Sequence, residues 1–448
     1  MRRVLIFAYY FPPHGGGGVQ RSVRFCRHLP ELGYEPTVVT GPGVNSDGWA
    51  PPDRTLNDRV PAGTTVIRAP GPVPAPSSGW RNRAERALRL LDPFDRWWLE
   101  GATAAAREAV PAADVLYASM SPFWTAEAAA RIAAESGKPW VADLRDPWAL
   151  DEFRVYTSGL HRRLELGRMR SVLGSADAVV MNTSEAARAL VRRFPELGEK
   201  PVVTVPNGFD ALDFAQPARQ RADHIFRIVH AGHVHTDVDS RPARLVRQLL
   251  SGETRGLDVS TRSHLFLLRA VARLLEVRPE LRSRLEVHLA GMLSDSDRAG
   301  LPPEVVRAHG YLPHRETIGL LRSADLLFLP MHDLPRGVRS RLVPGKTYEY
   351  LAAGPPILAA VPDGDARDLL AEAGNAFLCR PRDVEQMASV VADQADRALR
   401  GESAPVARSE VVQRFEGRRL TADLAALLDR VLGVTARPEL PVPVEVVA

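Results

Sequence analysis

Apolar residues fall along this chain in two rhythms. Some form short unbroken runs, and others return at every third or fourth position over longer stretches. The runs read as buried strands and the stretches as amphipathic helices. A run at residues 3–7 leads into Gly15-Gly16-Gly17-Gly18. A helical pattern through Val23, Phe25, Leu29 and Leu32 then ends at Gly33, and a second run follows at 36–40. Strand, glycine turn, helix and strand open a doubly wound parallel sheet. Runs at 115–118, 140–143, 178–181 and 202–205 extend it, and Pro206-Asn207-Gly208 closes the half.

The plan then restarts. A run at 226–231 reaches Gly232 and a polar loop, 233–239. A helical region rich in Arg and Leu covers 243–275, with a break near 252–260. Runs at 285–290, 306–311, 326–330 and 357–361 read as strands, and a last helical pattern spans 420–432. The expected fold is therefore α/β, with two Rossmann-like doubly wound domains facing a central cleft. Residues 1–212 form the first and 225–410 the second. A helix within 411–434 is expected to pack back towards the first domain, and a Pro-rich tail, 435–448, to fray. Ligands in such sheets bind at the carboxyl ends of the strands, so Gly15–Gly18 and Lys346 are expected to face the cleft from opposite sides.

Composition narrows the class. The 448 residues are 45% apolar and 25% charged, as in an ordinary globular protein. No apolar run approaches the roughly 18 residues of a spanning helix. Met-Arg-Arg followed by a short run and Pro-Pro-His reads as a first strand and turn, not a signal peptide. Two distant cysteines, Cys26 and Cys379, make no metal spacing, and a reducing cytoplasm is expected. The net charge of +4 is spread along the chain without a basic block or aromatic recognition motif, which argues against nucleic acid.

Chemistry concentrates at 345–356. Gly345 and Lys346 precede a short helical pattern that Gly354-Pro355-Pro356 ends. A helix start offers N–H groups and the positive end of a dipole, a seat for phosphate. Glu349 falls in the first turn, within reach of ribose hydroxyls beside a bound diphosphate. Lys stands only at 138, 200 and 346, so 55 of the 58 basic residues are Arg. In such a chain Lys346 reads as a choice of a compact ammonium over a guanidinium fork. A surface lysine in a loop is the bland alternative.

Five segments in order, 11–40, 114–148, 205–210, 309–330 and 345–358, give nearly the whole chain a resemblance to the GT-B glycosyltransferases, and among them to the retaining family 4. The chain is also similar to a subgroup with Asp-x-Arg-Asp-Pro-Trp, here Asp143 to Trp148, and Lys-x-x-Glu-Tyr, here Lys346 to Tyr350. The resemblance implies transfer of a sugar from a nucleotide-sugar donor with retention, without metal or other cofactor, to an unknown acceptor. By resemblance Gly17 and Gly18 let the backbone approach the diphosphate and sugar; Gly232, His233, Arg241 and Gly345 are further candidates for donor contact. Tyr311 and Leu312 lie near the base, Glu349 binds ribose, and Lys346 neutralises the leaving group. Three positions depart from the family. Arg341 stands where the first acid of its Glu-x7-Glu motif belongs. The usual Arg and Lys after the first strand of the second domain give way to His233 and His235, with Arg241 further on. Ser119-Met120-Ser121-Pro122 replaces a catalytic-face histidine.

Other groups carry open readings. Asp143, Arg145 and Asp146 end a strand, where they serve either acceptor recognition and acid–base work or an internal Asp–Arg pair that fixes the loop. Asp363-Gly364-Asp365 resembles a metal-binding Asp-x-Asp, but turn and N-cap chemistry accounts for it better. Asp237, Asp239, Asp295 and Asp297 read as loop residues. Residues 80–98 set Arg81, Arg83, Arg86 and Arg89 beside Leu88, Leu90, Leu91, Phe94, Trp97 and Trp98. The segment is either a basic amphipathic contact with an anionic membrane, suiting a lipid-linked acceptor, or a core-packed stripe with a solvated Arg face. A nucleotide-sugar epimerase, a glycan phosphorylase and a non-catalytic partner subunit are the competing functions.

Overall fold

The computed structural model describes residues 1–43, 51–74, 92–154, 156, 158–216, 221, 223–232, 256–293, 298 and 301–434. They divide into two compact units. The first takes in Met1–Asn207 and the segment from Gly417 onward, and the second the described residues from Gly208 to Glu416.

The first unit is built on a seven-stranded sheet. Its strands are β1 (Arg2–Ala8), β2 (Tyr34–Thr40), β3 (Thr65–Arg68), β4 (Val115–Met120), β5 (Trp140–Leu144), β6 (Ala178–Met181) and β7 (Val202–Thr204). The order is β3-β2-β1-β4-β5-β6-β7, and every pairing is parallel. Parallel sheets are covered on both faces, which is why the strands read as unbroken apolar runs. β1 shows the division. Leu5 and Phe7 point into a core with Trp98, Ala102 and Leu116. Val4, Ile6 and Ala8, on the alternate face, pack with Val23, Phe25, Leu420 and Leu424. The helices are α1 (Gln20–His28), α2 (Pro93–Ala109), α3 (Trp124–Ser136), α4 (Gly159–Gly174) and α5 (Ser184–Arg193).

The second unit repeats the scheme with β8 (Phe226–Ala231), β9 (Leu285–Ala290), β10 (Val306–Gly310), β11 (Leu326–Pro330), β12 (Ile357–Ala360) and β13 (Ala376–Cys379). Its order is β10-β9-β8-β11-β12-β13, again parallel throughout. Its helices are α6 (Leu265–Val277), α7 (His314–Arg322), α8 (Lys346–Ala353), α9 (Asp365–Ala373), α10 (Val384–Leu399) and α11 (Ser409–Gln413). The last helix, α12 (Gly417–Val431), belongs to the first unit. It closes the β1 face with Leu420, Leu424, Ala425, Leu427 and Leu428. Its Asp429 accepts from Arg2 at 2.8 Å and from the Tyr34 hydroxyl at 2.7 Å.

Four strands, β6, β8, β9 and β11, lie where the apolar runs place them. β3 and β13 go unread in the sequence. Each has four residues and no residue of β3 is buried, so neither makes a long apolar run. Of the helical region expected over 243–275, only α6 lies among the described residues, and the tail 435–448 lies outside them.

Candidate functional site

In each sheet the strand order reverses at one place, between β1 and β4 in the first unit and between β8 and β11 in the second. Such switch points leave a crevice at the carboxyl ends of the strands.

At the second switch point β8 ends in Gly232, and α8 begins at Lys346 as the sequence pattern requires. Glycine is obligatory at two turns here. A Cβ at Gly232 (φ 119°) would stand 2.5 Å from Lys346 Nζ, and one at Gly291 (φ 139°) 2.5 Å from the Gly232 carbonyl oxygen. Lys346 keeps part of its surface exposed, but its Nζ is packed against the Gly232 turn. There it lies 3.4 Å from His230 Nε2. Loss of hydration pushes the Lys346 ammonium down to about 7; the nearby Arg262 adds to the fall and Glu349 opposes it. Glu349 sits in the first turn of α8, its Oε1 4.0 Å from His314 Nδ1. His314 Nε2 in turn meets Asp213 Oδ2 at 3.1 Å.

The helix end contributes less than expected. The N–H groups of Thr347 and Tyr348 already donate to the carbonyls of Pro344 (2.9 Å) and Gly345 (3.3 Å). Positive charge at this place therefore comes chiefly from Lys346 and Arg262. Gly345 has φ −54° and open space around it, so no steric reason requires glycine there. Tyr311 and Leu312 follow the end of β10 and are half-buried, Leu312 against the core that contains Ile318 and Tyr348. His233, His235, Asp237, Asp239 and Arg241 lie outside the described residues, as do Asp295 and Asp297.

The first unit treats its candidates differently. Asp143 is fully buried, and both of its oxygens are engaged by Arg21, at 2.7 and 2.8 Å. The Tyr117 hydroxyl also donates to it, and Arg21 reaches the Pro206 carbonyl at 2.8 Å. The internal-pair reading therefore describes Asp143, with one correction: its partner is Arg21, not Arg145. A carboxylate so enclosed holds structure and presents nothing to a ligand. Arg145 acts as a clamp across the β1–β4 switch point. Its guanidinium donates to the carbonyls of Gly18, Met120 (2.7 Å) and Ser121 (3.0 Å). Asp146 is exposed. Burial pushes the neighbouring Asp151 carboxyl up to about 7, and the Asp146 charge adds to it. Gly17 is exposed with nothing near it, whereas a Cβ at Gly18 would lie 3.3 Å from the Arg145 guanidinium.

The remaining candidates resolve as follows. Asp363 and Asp365 flank Gly364 at the start of α9, and no side chain caps that helix; Asp363 faces Arg380 at 3.5 Å and Arg367 at 4.0 Å. Turn chemistry holds and the side-chain cap does not. In the aromatic stretch, Trp98 is fully buried and donates to Thr125 at 2.9 Å, while Phe94 and Trp97 pack on the same core. Phe94, Trp97 and Trp98 are thus core-packed, Arg96 is exposed, and 80–91 lie outside the described residues. Among the described residues no helix is long and apolar enough to cross a membrane.

The sequence reading passes over His230, Arg262, Gly291 and His314. A signal existed for His230: it is a polar residue directly after Ile228 and Val229 in a strand run.

Comparison with known proteins bears on the family and the fold. Residues 16–208 match the glycosyl transferase 4-like domain, and residues 256–396 match the glycosyl transferases group 1 family. The D-inositol 3-phosphate glycosyltransferase of Streptomyces avermitilis is 31% identical over 242 residues, covering 52% of this chain and 47% of that one. Its counterpart in Thermobifida fusca is 28% identical over 204 residues, covering 42% of this chain and 41% of its own. The chain thus spans about half the length of the curated relatives it matches. Among solved structures, Anabaena HepE in complex with UDP and glucose aligns over 96% of this chain and 100% of its own, with TM-score 0.57 and 16% identity. Sucrose-phosphate synthase of Thermosynechococcus elongatus covers 97% and 100%, with TM-score 0.58 and 13% identity. The chain belongs to the GT-B fold glycosyltransferases.

Proposed function

We propose that this chain transfers a sugar from a nucleotide-sugar donor, and that its second unit binds the donor's nucleoside diphosphate at the β8–β11 switch point. One observation carries the reading. Lys346 is packed against Gly232 at a strand end, with Arg262 near it and Glu349 one turn along. Departure of a nucleoside diphosphate needs positive charge where negative charge develops, and this pair of cations supplies it. In this reading Glu349, beside His314, accepts from ribose hydroxyls. The crystal complexes of HepE with UDP and with UDP-glucose support the ligand class, since that protein shares the fold. Retention of anomeric configuration and independence of metal belong to the same reading, through the family-4 resemblance and the protein's own cations. The two cysteines are buried free thiols, which fits a reducing, cytoplasmic setting for the donor.

Calorimetric titration with UDP, GDP, ADP and dTDP tests the reading, followed by incubation of the nucleotide that binds, as its sugar conjugate, with candidate acceptors. Binding of one nucleotide that is lost in Lys346→Met supports it. A cooperatively folded protein that binds none of the four sinks it. Activity in excess EDTA, and the anomeric coupling of the product by NMR, decide the two finer points.

A further inference from the structure

We propose that His230 is a positioning residue for the donor diphosphate, holding the Lys346 amine by its Nε2 lone pair against the Gly232 turn. This rests on the nucleotide-sugar reading above and adds the group that aims its cation.

The geometry fixes which ring nitrogen does what. His230 Nδ1 lies 2.9 Å from the Phe328 carbonyl oxygen, which only accepts, so Nδ1 carries the hydrogen. Nε2 then bears the lone pair, and that nitrogen faces Lys346 Nζ at 3.4 Å. The Phe328 carbonyl is available because of the switch point. The β8–β11 ladder pairs Leu326 with Ile228 and Leu327 with Val229. One residue further along, the Phe328 carbonyl takes the imidazole hydrogen. From the other side, Lys346 and Tyr350 share a face of α8, four residues apart. Lys346 meets His230, and the Tyr350 hydroxyl accepts from the next residue, the N–H of Ala231, at 2.8 Å. The hydroxyl also lies 3.5 Å from His230 Nδ1. Two side chains of α8 thus grip the last two residues of β8, and the position of Lys346 relative to Gly232 is set by His230.

The electrostatics agree. The charged and titratable groups acting on Lys346 are Arg262 and Glu349, beside His230 in contact; those acting on His230 are Lys346, His264 and Arg262, with Tyr350 against it. Burial and the Lys346 charge push His230 well below its usual range, so the imidazole stays neutral and keeps its lone pair at physiological pH. Lys346, pushed down to about 7, is held near its balance point between amine and ammonium. A diphosphate arriving at the Gly232 turn favours the ammonium, so donor binding above neutral pH draws one proton from solvent onto Nζ.

The chain's three lysines make this directly observable. In the full-length protein labelled with ε-13C lysine, Lys138, Lys200 and Lys346 give three signals, and Lys346→Met assigns the third. The Lys346 signal is expected to titrate near pH 7, and UDP to raise its midpoint by about one unit or more. His230→Leu is expected to shift the ligand-free midpoint downward and to weaken UDP binding about tenfold or more, because a charged donor loses its acceptor. His230→Gln, whose amide oxygen can stand in for Nε2, is expected to restore affinity to within about threefold of wild type. A purely structural role for His230 would lower the melting temperature of both variants and leave the Lys346 midpoint alone. UDP binding with an unmoved Lys346 signal, or a His230→Leu protein with unchanged midpoint and affinity, overturns this proposal alone. If none of UDP, GDP, ADP and dTDP binds or moves any lysine signal, the donor reading falls first and this proposal with it.

Discussion

At the switch point of the first sheet, charged groups satisfy one another or the backbone. Arg21 is tied to Asp143, and Arg145 is spent on three carbonyls that bind the Gly18 turn to the exit of β4. At the switch point of the second sheet, two cations stand near each other and one of them is held at the edge of losing its charge. The same doubly wound plan thus ties the arginines of one crevice into the fold and leaves a lysine of the other near its balance point. Glycines follow suit. Gly232 and Gly291 are demanded by their positive φ, and Gly291 also by backbone within 3 Å, whereas a Cβ at Gly17 has nothing within 4 Å. Charge tied to an opposite charge stabilises a fold, and an amine near its balance point responds to an arriving anion.

Substitutions can break this contrast. The largest effect is expected from Asp143→Ala. It strands a buried guanidinium and should cost about 3–5 kcal/mol, read as a lowered urea midpoint, with UDP affinity per folded molecule unchanged. A loss below ~1 kcal/mol would show that the pair is not structural. Lys346→Met should do the reverse. We expect kcat/KM to fall by about 10²–10³ while the melting temperature holds or rises, because a charge costly to bury is gone. If stability falls and activity does not, the contrast between the units collapses.

A glycine pair sharpens it further. Gly232→Ala is expected to weaken UDP binding by roughly tenfold, measured by calorimetry, since the new methyl displaces the Lys346 ammonium. Gly17→Ala meets no atom and should change UDP affinity by less than about twofold. A comparable loss at both positions would assign the first unit's loop a direct part in donor binding.

The smallest effect is a difference in pH slope. Asp151 has a folded pKa of about 7, raised from 3.8, so between those values the native state holds more protons than the unfolded chain. Stability from this group declines as pH climbs from 4 to 7. Lys346 is lowered from 10.5 to about 7, so between 7 and 10.5 the unfolded chain holds more protons, and stability from this group grows with pH. Melting temperatures against pH should therefore show Asp151→Asn departing from wild type below pH 7 and Lys346→Met departing on the alkaline side. Parallel curves for either variant would remove that group from the comparison.

What the sequence disclosed follows from how local the signal is. The apolar runs announce a strand wherever both faces of the sheet are buried, as at β8 and β11. They are silent at β3, which has no buried residue. The start of α8 is legible because Gly345, Lys346 and the closing Gly354-Pro355 act within a few residues of one another. The partner of Asp143 is not, because Arg21 stands 122 positions away and only the closed sheet brings them together. Arg145, two residues along, is nearer in sequence and serves a different task. His230 stands out only as a polar residue in a strand, and its role is hidden for a related reason. Its meaning depends on a carbonyl of β11 and an amine of α8, neither of which leaves a mark near position 230.

The path of α12 bears on how the molecule is made. The face of β1 carrying Val4 and Ile6 is sealed by Leu420, Leu424 and Leu428, so the first unit is begun before the second and finished after it. At about 5–20 residues per second, roughly 200 residues of the second unit are synthesised in ~10–40 s before α12 emerges. Throughout that interval the nascent first unit carries an open apolar face with Arg2 and Tyr34 waiting for Asp429. Truncation anywhere before Gly417 would leave that state permanent, a chain that chaperones would hold and proteases would find.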